Sequence, residues 1–186
     1  MIDRRKIPFI TITVFLLNVL GMIYEFKVGE NVAASEFAMY KGALQEGEWW
    51  RVVMSSFVHY GLAHFASNMI CLVLFGISFE KSIGSFKYAL IYLASILGAG
   101  ILINYHGGQA LHAGASGGIW GLMGATLMYT LKNHKNPLFV GRAIVVNLIY
   151  SFSEGVSWQG HIGGGIAGFL MASVLIVIDG KNRSST

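Results

Sequence analysis

The sequence has little charge and a single cysteine. Charged residues make up 12% of the 186 positions, about half of the ~25% that is usual in a soluble domain, whereas 54% are hydrophobic. A soluble fold of this length cannot bury so much apolar surface, which argues against a soluble enzyme. One cysteine excludes an internal disulfide framework. The net charge of +4 does not indicate nucleic-acid binding, because the basic residues are scattered between apolar runs.

Six long apolar stretches run through the chain. Most approach the ~20 residues that a helix needs to cross ~30 Å of hydrocarbon, and none alternates with the period of two expected for barrel strands. No linker, internal repeat or low-complexity segment separates them, so residues 1–186 are expected to form one domain in the lipid bilayer. We predict an all-α membrane protein with six transmembrane helices, in the stretches Ile7–Phe26, Val58–Phe79, Phe86–Tyr105, Gly114–Leu131, Pro137–Phe152 and Trp158–Ile178.

The charges between these stretches predict the orientation of the chain. Ten of the 13 basic residues lie on one side: eight precede the first stretch, lie in every second connection or follow the sixth stretch, and Lys87 and Arg142 lie near the starts of the stretches that follow those connections. Six of the nine acidic residues lie on the opposite side. Because Lys and Arg accumulate on the cytoplasmic side of membrane proteins, both termini are expected in the cytoplasm.

The first outer connection, Lys27–Phe57, is too long for a simple turn. It carries apolar residues, Trp49 and Trp50 among them, between Glu and Gly residues. This mixture is typical of short helices that lie in the outer membrane interface, with tryptophan rings at the headgroup level. A solvated loop is the alternative interpretation, and we favour the interfacial one.

Polar groups inside a membrane span are costly and usually functional, and four polar residues from three of the predicted spans cluster. Counted from the start of each span at ~1.5 Å per residue, Ser116 and His161 lie ~3–5 Å deep. His64 and Asn68 share a helix face and lie ~9 Å and ~15 Å deep, so all four fall in the outer half of the membrane. A serine within reach of a histidine indicates nucleophilic catalysis. His64, Asn68 and the Ser116 N–H can donate hydrogen bonds to a developing oxyanion.

Glycines at helical spacing predict close contact between the fourth and sixth spans. Gly117 and Gly121 are four residues apart in the fourth span, and Gly164 and Gly168 are four apart in the sixth. Such small-residue stripes let two helices approach closely, which would bring the serine of one span to the histidine of the other. We assign these glycines to helix packing and not to the chemistry.

Two other kinds of site would use the same histidines. Zinc binding is disfavoured because His59 and His64 are five residues apart, about 140° around a helix, and no acidic residue lies beside them. A small transporter or channel with a histidine-lined cavity would favour inverted repeats or half-helices, and the sequence has neither. We therefore expect no metal and no cofactor.

Four motifs follow one another along the chain. They are Glu48-Trp49-Trp50-Arg51 in the first connection, His59-x4-His64-x3-Asn68 in the second span, Gly114-Ala115-Ser116-Gly117 at the start of the fourth and His161-x2-Gly164-x3-Gly168 in the sixth. In this order and on these spans, the motifs resemble those of the rhomboid family of intramembrane serine proteases. The resemblance covers most of the chain.

The resemblance implies a Ser–His dyad without a third carboxylate, with Ser116 as nucleophile and His161 as general base. It also implies an oxyanion hole formed by His64, Asn68 and the Ser116 N–H. Trp120 takes the place of the Tyr or Phe that commonly stacks on the catalytic histidine of this family.

The resemblance further implies the substrates and surroundings of the protein. Trp50 and Arg51 would anchor the first connection. Substrates would be single-span membrane proteins that enter near residues 152–160 and are cleaved near the outer face of a bacterial plasma membrane. The alternative is a non-catalytic relative that binds or escorts membrane helices. Such a protein would be expected to lack one of the dyad residues, and this chain has both.

Overall fold

The structure is a computed structural model that describes residues 7–151 and 156–184. Within these residues all regular elements are helices, and a lone antiparallel bridge pairs Met39 with His112. This confirms the predicted all-α class. In chain order the helices are α1 (Phe9–Val28), α2 (Glu30–Phe37), α3 (Arg51–Met54), α4 (Gly61–Ile83, with a π-helical turn at Leu72–Gly76), α5 (Ser85–His106), α6 (Ser116–Lys132), α7 (Leu138–Ser151) and α8 (Trp158–Ser184).

Within the described residues, four helices are long and apolar enough to cross a membrane: α1, α4, α5 and the Trp158–Gly180 part of α8. Helix α6 has 17 residues, and the apolar part of α7, Leu138–Ile149, is shorter still. Each predicted stretch corresponds to a helix that begins within three residues of the predicted start. The count of six spans and the side of the termini stay predictions. The predicted end of the fifth stretch, Phe152, lies outside the described residues.

Helices α6 and α8 pack closely against each other, and glycines make this possible. A Cβ on Gly164 of α8 would lie 2.0 Å from the Gly117 carbonyl oxygen of α6. A Cβ on Gly168 would lie 2.2 Å from the carbonyl oxygen of Gly121. A Cβ on Gly121 would lie 1.7 Å from Oγ of Ser95 in α5. Only a hydrogen atom fits at these points, so the backbones of α6 and α8 touch directly.

A buried carboxylate joins the start of α1 to the end of α4. Glu80 is 1% exposed and accepts hydrogen bonds from the N–H groups of Ile10 and Thr11, at 2.9 and 2.8 Å. It also accepts from the hydroxyls of Thr11, at 2.7 Å, and Ser85, at 2.6 Å. The two N–H groups belong to the first turn of α1 and have no partner within their own helix, so the carboxylate satisfies them and holds α1 against the bundle.

The first outer connection folds around Arg51. Its buried guanidinium donates to the carbonyl oxygens of Ala38, at 2.9 Å, and Ser35, at 2.8 Å, and forms an ion pair with Glu48. The hydrogen bond from Arg51 holds the pKa of the Glu48 carboxyl below its ordinary value. Trp50 is 38% exposed. Of the two residues expected to anchor this connection, Arg51 is therefore the one with buried polar contacts.

Asn104 of α5 ties the same connection to the helices. This residue is buried, and its side-chain Oδ1 accepts from the N–H of Leu44 at 3.0 Å. Its carbonyl oxygen accepts from the N–H of Gly42 at 3.0 Å, and its Nδ2 donates to Gln45 Oε1 at 3.0 Å. One buried amide thus fixes the turn at residues 42–45, although Asn104 belongs to none of the sequence motifs.

Candidate functional site

A cavity of about 580 Å³ lies between α4, α6, α7 and α8. Ligand sites in proteins usually have volumes of ~300–1,000 Å³. The residues predicted to do chemistry all line it, with the aromatic ring expected beside them: His64, Asn68, Ser116, Trp120 and His161. Three helices that are distant in sequence therefore bring these side chains to one place.

A larger cavity of about 1100 Å³ lies elsewhere, between the C-terminal ends of α4, α6 and α8. Lys87, Lys132 and Lys135 line it, and Lys87 forms an ion pair with Asp179 there. The predicted site residues do not line this cavity.

Ser116 begins α6, and the residues before it set its position. Gly114 has a φ of +122°, a conformation that favours glycine, and its N–H donates to the Ser55 carbonyl oxygen at 2.8 Å. A Cβ at Gly114 would also lie 2.8 Å from Cε1 of His64. In the part of the chain that the structure describes, neither the hydroxyl nor the N–H of Ser116 makes a hydrogen bond. Both groups are therefore available to a bound molecule.

His161 is buried in the first turn of α8, against two partners. Its ring stacks on Trp120, with ring centroids 5.3 Å apart and an angle of 20° between the planes. Its Nδ1 lies 2.6 Å from Oγ of Ser151, the last residue of α7. Ser151 is not part of any of the four sequence motifs.

Ser116 and His161 line the same cavity without a hydrogen bond between their side chains, as far as the described residues show. Such bonds are often long before a substrate binds and tighten in the reacting complex. The arrangement brings a serine hydroxyl and an imidazole into one cavity, which is the pairing that acyl transfer needs.

His64 and Asn68 lie on one face of α4 towards the cavity. The Asn68 amide donates one N–H to the His64 carbonyl oxygen at 2.9 Å, which leaves its second N–H for another acceptor. Nδ1 of His64 accepts from the N–H of Tyr60 at 3.3 Å, and this leaves Nε2 able to carry a proton and to donate. Both side chains can therefore offer a hydrogen bond to a ligand in the cavity.

His59 supports the segment that carries the serine. Its ring is 2% exposed, and its Nε2 accepts from the N–H of Ala115 at 3.4 Å. The backbone N–H of His59 donates to the carboxylate of Glu25 in α1. His59 belongs to the motif of the second span, but no role was predicted for it. Its contact with Ala115 joins two segments that are 56 residues apart.

Among residues 7–151 and 156–184, no three His, Cys, Asp or Glu side chains lie close enough together to hold a metal ion.

Residues 46–178 match the family model of the Rhomboid domain, which is more than half of the chain. The chain belongs to the rhomboid family. This confirms the resemblance noted in the motifs. The family match and the long apolar helices together show that the chain is an integral membrane protein.

Curated relatives of this rhomboid chain come from bacteria and plants. The Rhomboid protease GluP of Bacillus subtilis is 37% identical over 138 residues, which cover 71% of this chain and 27% of GluP. RHOMBOID-like protein 5 of Arabidopsis thaliana is 31% identical, over 87% of this chain and 58% of that protein. The Rhomboid protease AarA of Providencia stuartii is 28% identical, over 94% of this chain and 75% of AarA. The chain thus spans about a quarter of GluP and just over half of the Arabidopsis relative.

Proposed function

We propose that this rhomboid protein is an intramembrane serine endopeptidase, with Ser116 as nucleophile and His161 as general base. The observation that carries the proposal is the cavity that holds a serine hydroxyl together with a buried histidine stacked on Trp120. Two relatives named rhomboid proteases support it.

The chemistry follows from the two side chains. His161 takes the proton of the Ser116 hydroxyl as the oxygen attacks the scissile carbonyl. The imidazolium then gives that proton to the leaving amine, and an acyl-enzyme remains on the serine. In the second step the same histidine takes a proton from the water that attacks the ester and gives it to the departing Ser116 oxygen, which restores the hydroxyl.

The oxyanion of each tetrahedral intermediate is assigned to three donors. The N–H of Ser116 is at a helix start, where donors have no partner within the helix. The second N–H of the Asn68 amide and the Nε2–H of His64 are the other two. Donors fixed in advance around a developing charge usually make the largest single contribution to catalysis.

Asn68→Ala and His64→Ala are each expected to slow cleavage by about 10²–10³-fold, because each removes one oxyanion donor while the Ser116 N–H remains. The rate of cleavage of a single-span substrate by purified protein in detergent measures this. Asn18→Ala is the matched control, since Asn18 is also buried and also donates to the carbonyl four residues earlier, at 2.8 Å, but lies in α1. Parent rates in both cavity variants would contradict the assignment.

The proposed substrates are single-span membrane proteins, cleaved near the outer face of a bacterial plasma membrane by an enzyme with six spans and both termini in the cytoplasm. A substrate helix must unwind locally before hydrolysis, because its carbonyls are already hydrogen-bonded. Residues that weaken a helix, such as Gly and Pro, are therefore expected near the cleaved bond.

Cleavage in liposomes tests the proposal against the non-catalytic alternative. Purified parent protein and a fluorescent single-span substrate are reconstituted together, and the fragments are identified by mass spectrometry. The proposal predicts two fragments with the parent protein and an intact substrate with Ser116→Ala. An intact substrate that is captured equally by both proteins would contradict the protease and favour a protein that binds membrane helices.

A further inference from the structure

His161 has a polar partner that none of the sequence motifs contains. Oγ of Ser151 lies 2.6 Å from its Nδ1, and both side chains are buried, with 0% and 6% of their surfaces exposed. The contact joins the last residue of α7 to the first turn of α8. The contact involves Nδ1 of the imidazole, so Nε2 is the nitrogen that is free to act as the base.

The single proton of the Ser151 hydroxyl determines the direction of this contact. The same Oγ lies 2.8 Å from the carbonyl oxygen of Asn147, four residues earlier in α7. A carbonyl oxygen can only accept, whereas Nδ1 can donate or accept, so the two contacts are hydrogen bonds at the same time only when the hydroxyl proton is directed to Asn147. The lone pair of Oγ must then accept from His161, which requires the proton of the neutral imidazole to be on Nδ1.

We propose that Ser151 is a positioning residue that holds His161 with Nδ1 protonated and with the lone pair of Nε2 free to act as the base. This rests on the proposed function, in which Nε2 takes the proton from the Ser116 hydroxyl. Nδ1 keeps its own proton throughout, so the imidazolium that forms still donates to Ser151.

In Ser-His-Asp triads a buried carboxylate selects the same tautomer. A hydroxyl selects it without placing a charge in an apolar interior, where an ionised carboxylate is far more costly than a hydrogen-bonded hydroxyl. The hydroxyl is itself oriented by the helix, because its proton is bound by the Asn147 carbonyl. Ser151 therefore supplies orientation, and it leaves the stabilisation of the imidazolium to the rest of the site.

Ser151→Ala is expected to lower kcat by about 10- to 100-fold, the range usual when the group that orients a metal-ligating histidine is removed, with KM within about twofold. Ser151→Thr keeps the hydroxyl and is expected to restore kcat to near the parent value. Ser173→Ala is the matched control, because Ser173 donates to the carbonyl four residues earlier, at 2.9 Å, without contacting a histidine. A loss of kcat in Ser173→Ala equal to that in Ser151→Ala would point to helix stability and overturn the proposal.

Nitrogen NMR of the imidazole tests the tautomer independently of activity. The full chain is prepared in detergent micelles with ¹⁵N-labelled histidine, and His161→Gln assigns the His161 signals by difference. The parent protein is expected to show a protonated Nδ1 and an unprotonated Nε2, and Ser151→Ala is expected to lose this preference.

A protonated Nε2 in the parent protein, or the same tautomer in parent and Ser151→Ala, would overturn the role of Ser151. A parent protein without proteolysis would overturn the proposed function instead, and the nitrogen signals would still decide whether Ser151 sets the tautomer.

Discussion

Ser116→Ala, His161→Ala and the double variant are expected to lose cleavage to nearly the same residual rate, about 10⁴-fold or more below the parent rate. The physical reason is that the hydroxyl and the imidazole act as one unit: without the base the oxygen keeps its proton, and without the oxygen the base has no proton to take. Residues that act as a unit lose activity non-additively. Initial rates on one fluorescent single-span substrate measure the effect.

Folding controls accompany the dyad variants. Each protein is unfolded thermally in the same detergent. Its unfolding midpoint must match that of the parent protein before the cleavage rates are compared. Losses that multiply in the double variant would show that the two residues act independently, which contradicts the dyad.

Gly164→Ala and Gly168→Ala are expected to destabilise the protein and to abolish cleavage. In each case the new methyl group would lie 2.0–2.2 Å from a carbonyl oxygen of α6, so α6 and α8 must move apart. Such a movement separates the helix that carries Ser116 from the helix that carries His161. Thermal unfolding in detergent and the rate of cleavage measure the two effects.

Gly180→Ala on the same helix is the matched control for these substitutions. Among the described residues, no atom outside the helix's own backbone lies within 4 Å of a Cβ at Gly180, so the methyl group has room. Alanine in a helix interior is more stable than glycine by roughly 0.5–1 kcal/mol, and a small stabilisation is therefore expected. An unchanged unfolding midpoint in Gly164→Ala together with lost cleavage would contradict the packing role and indicate a direct role in the site.

The sequence predicts the helices well because each one depends on a local pattern. Apolar runs bounded by Gly, Pro or charged residues are a property of neighbouring positions, and the starts of all six stretches agree with the structure to within three residues. The contacts of Asn104 do not follow from a local pattern. Its partners lie about 60 residues away in the first connection, and nothing in the residues around Asn104 indicates which amide will face that turn.

The candidate site also has a part that the sequence predicts and a part that it does not predict. The spacing of four residues predicted that His64 and Asn68 share a helix face. The glycine stripes predicted that the fourth and sixth spans pack against each other. Ser151 was missed because a serine that donates to the carbonyl four residues earlier in its own helix is common, and only the path of the chain from α7 to α8 brings its oxygen to His161.

Mass spectrometry of the protein after reaction with a fluorophosphonate tests the role of Ser116 most directly. The reagent forms a covalent adduct with a serine whose hydroxyl is activated by a base. Ser82→Ala serves as a labelling control, since the Ser82 hydroxyl donates to the Phe79 carbonyl at 2.8 Å and lies away from the site. One adduct on the peptide that contains Ser116, formed far more slowly in His161→Ala and at the parent rate in Ser82→Ala, is the predicted result. An adduct on any other residue, or cleavage that persists in Ser116→Ala, would contradict it.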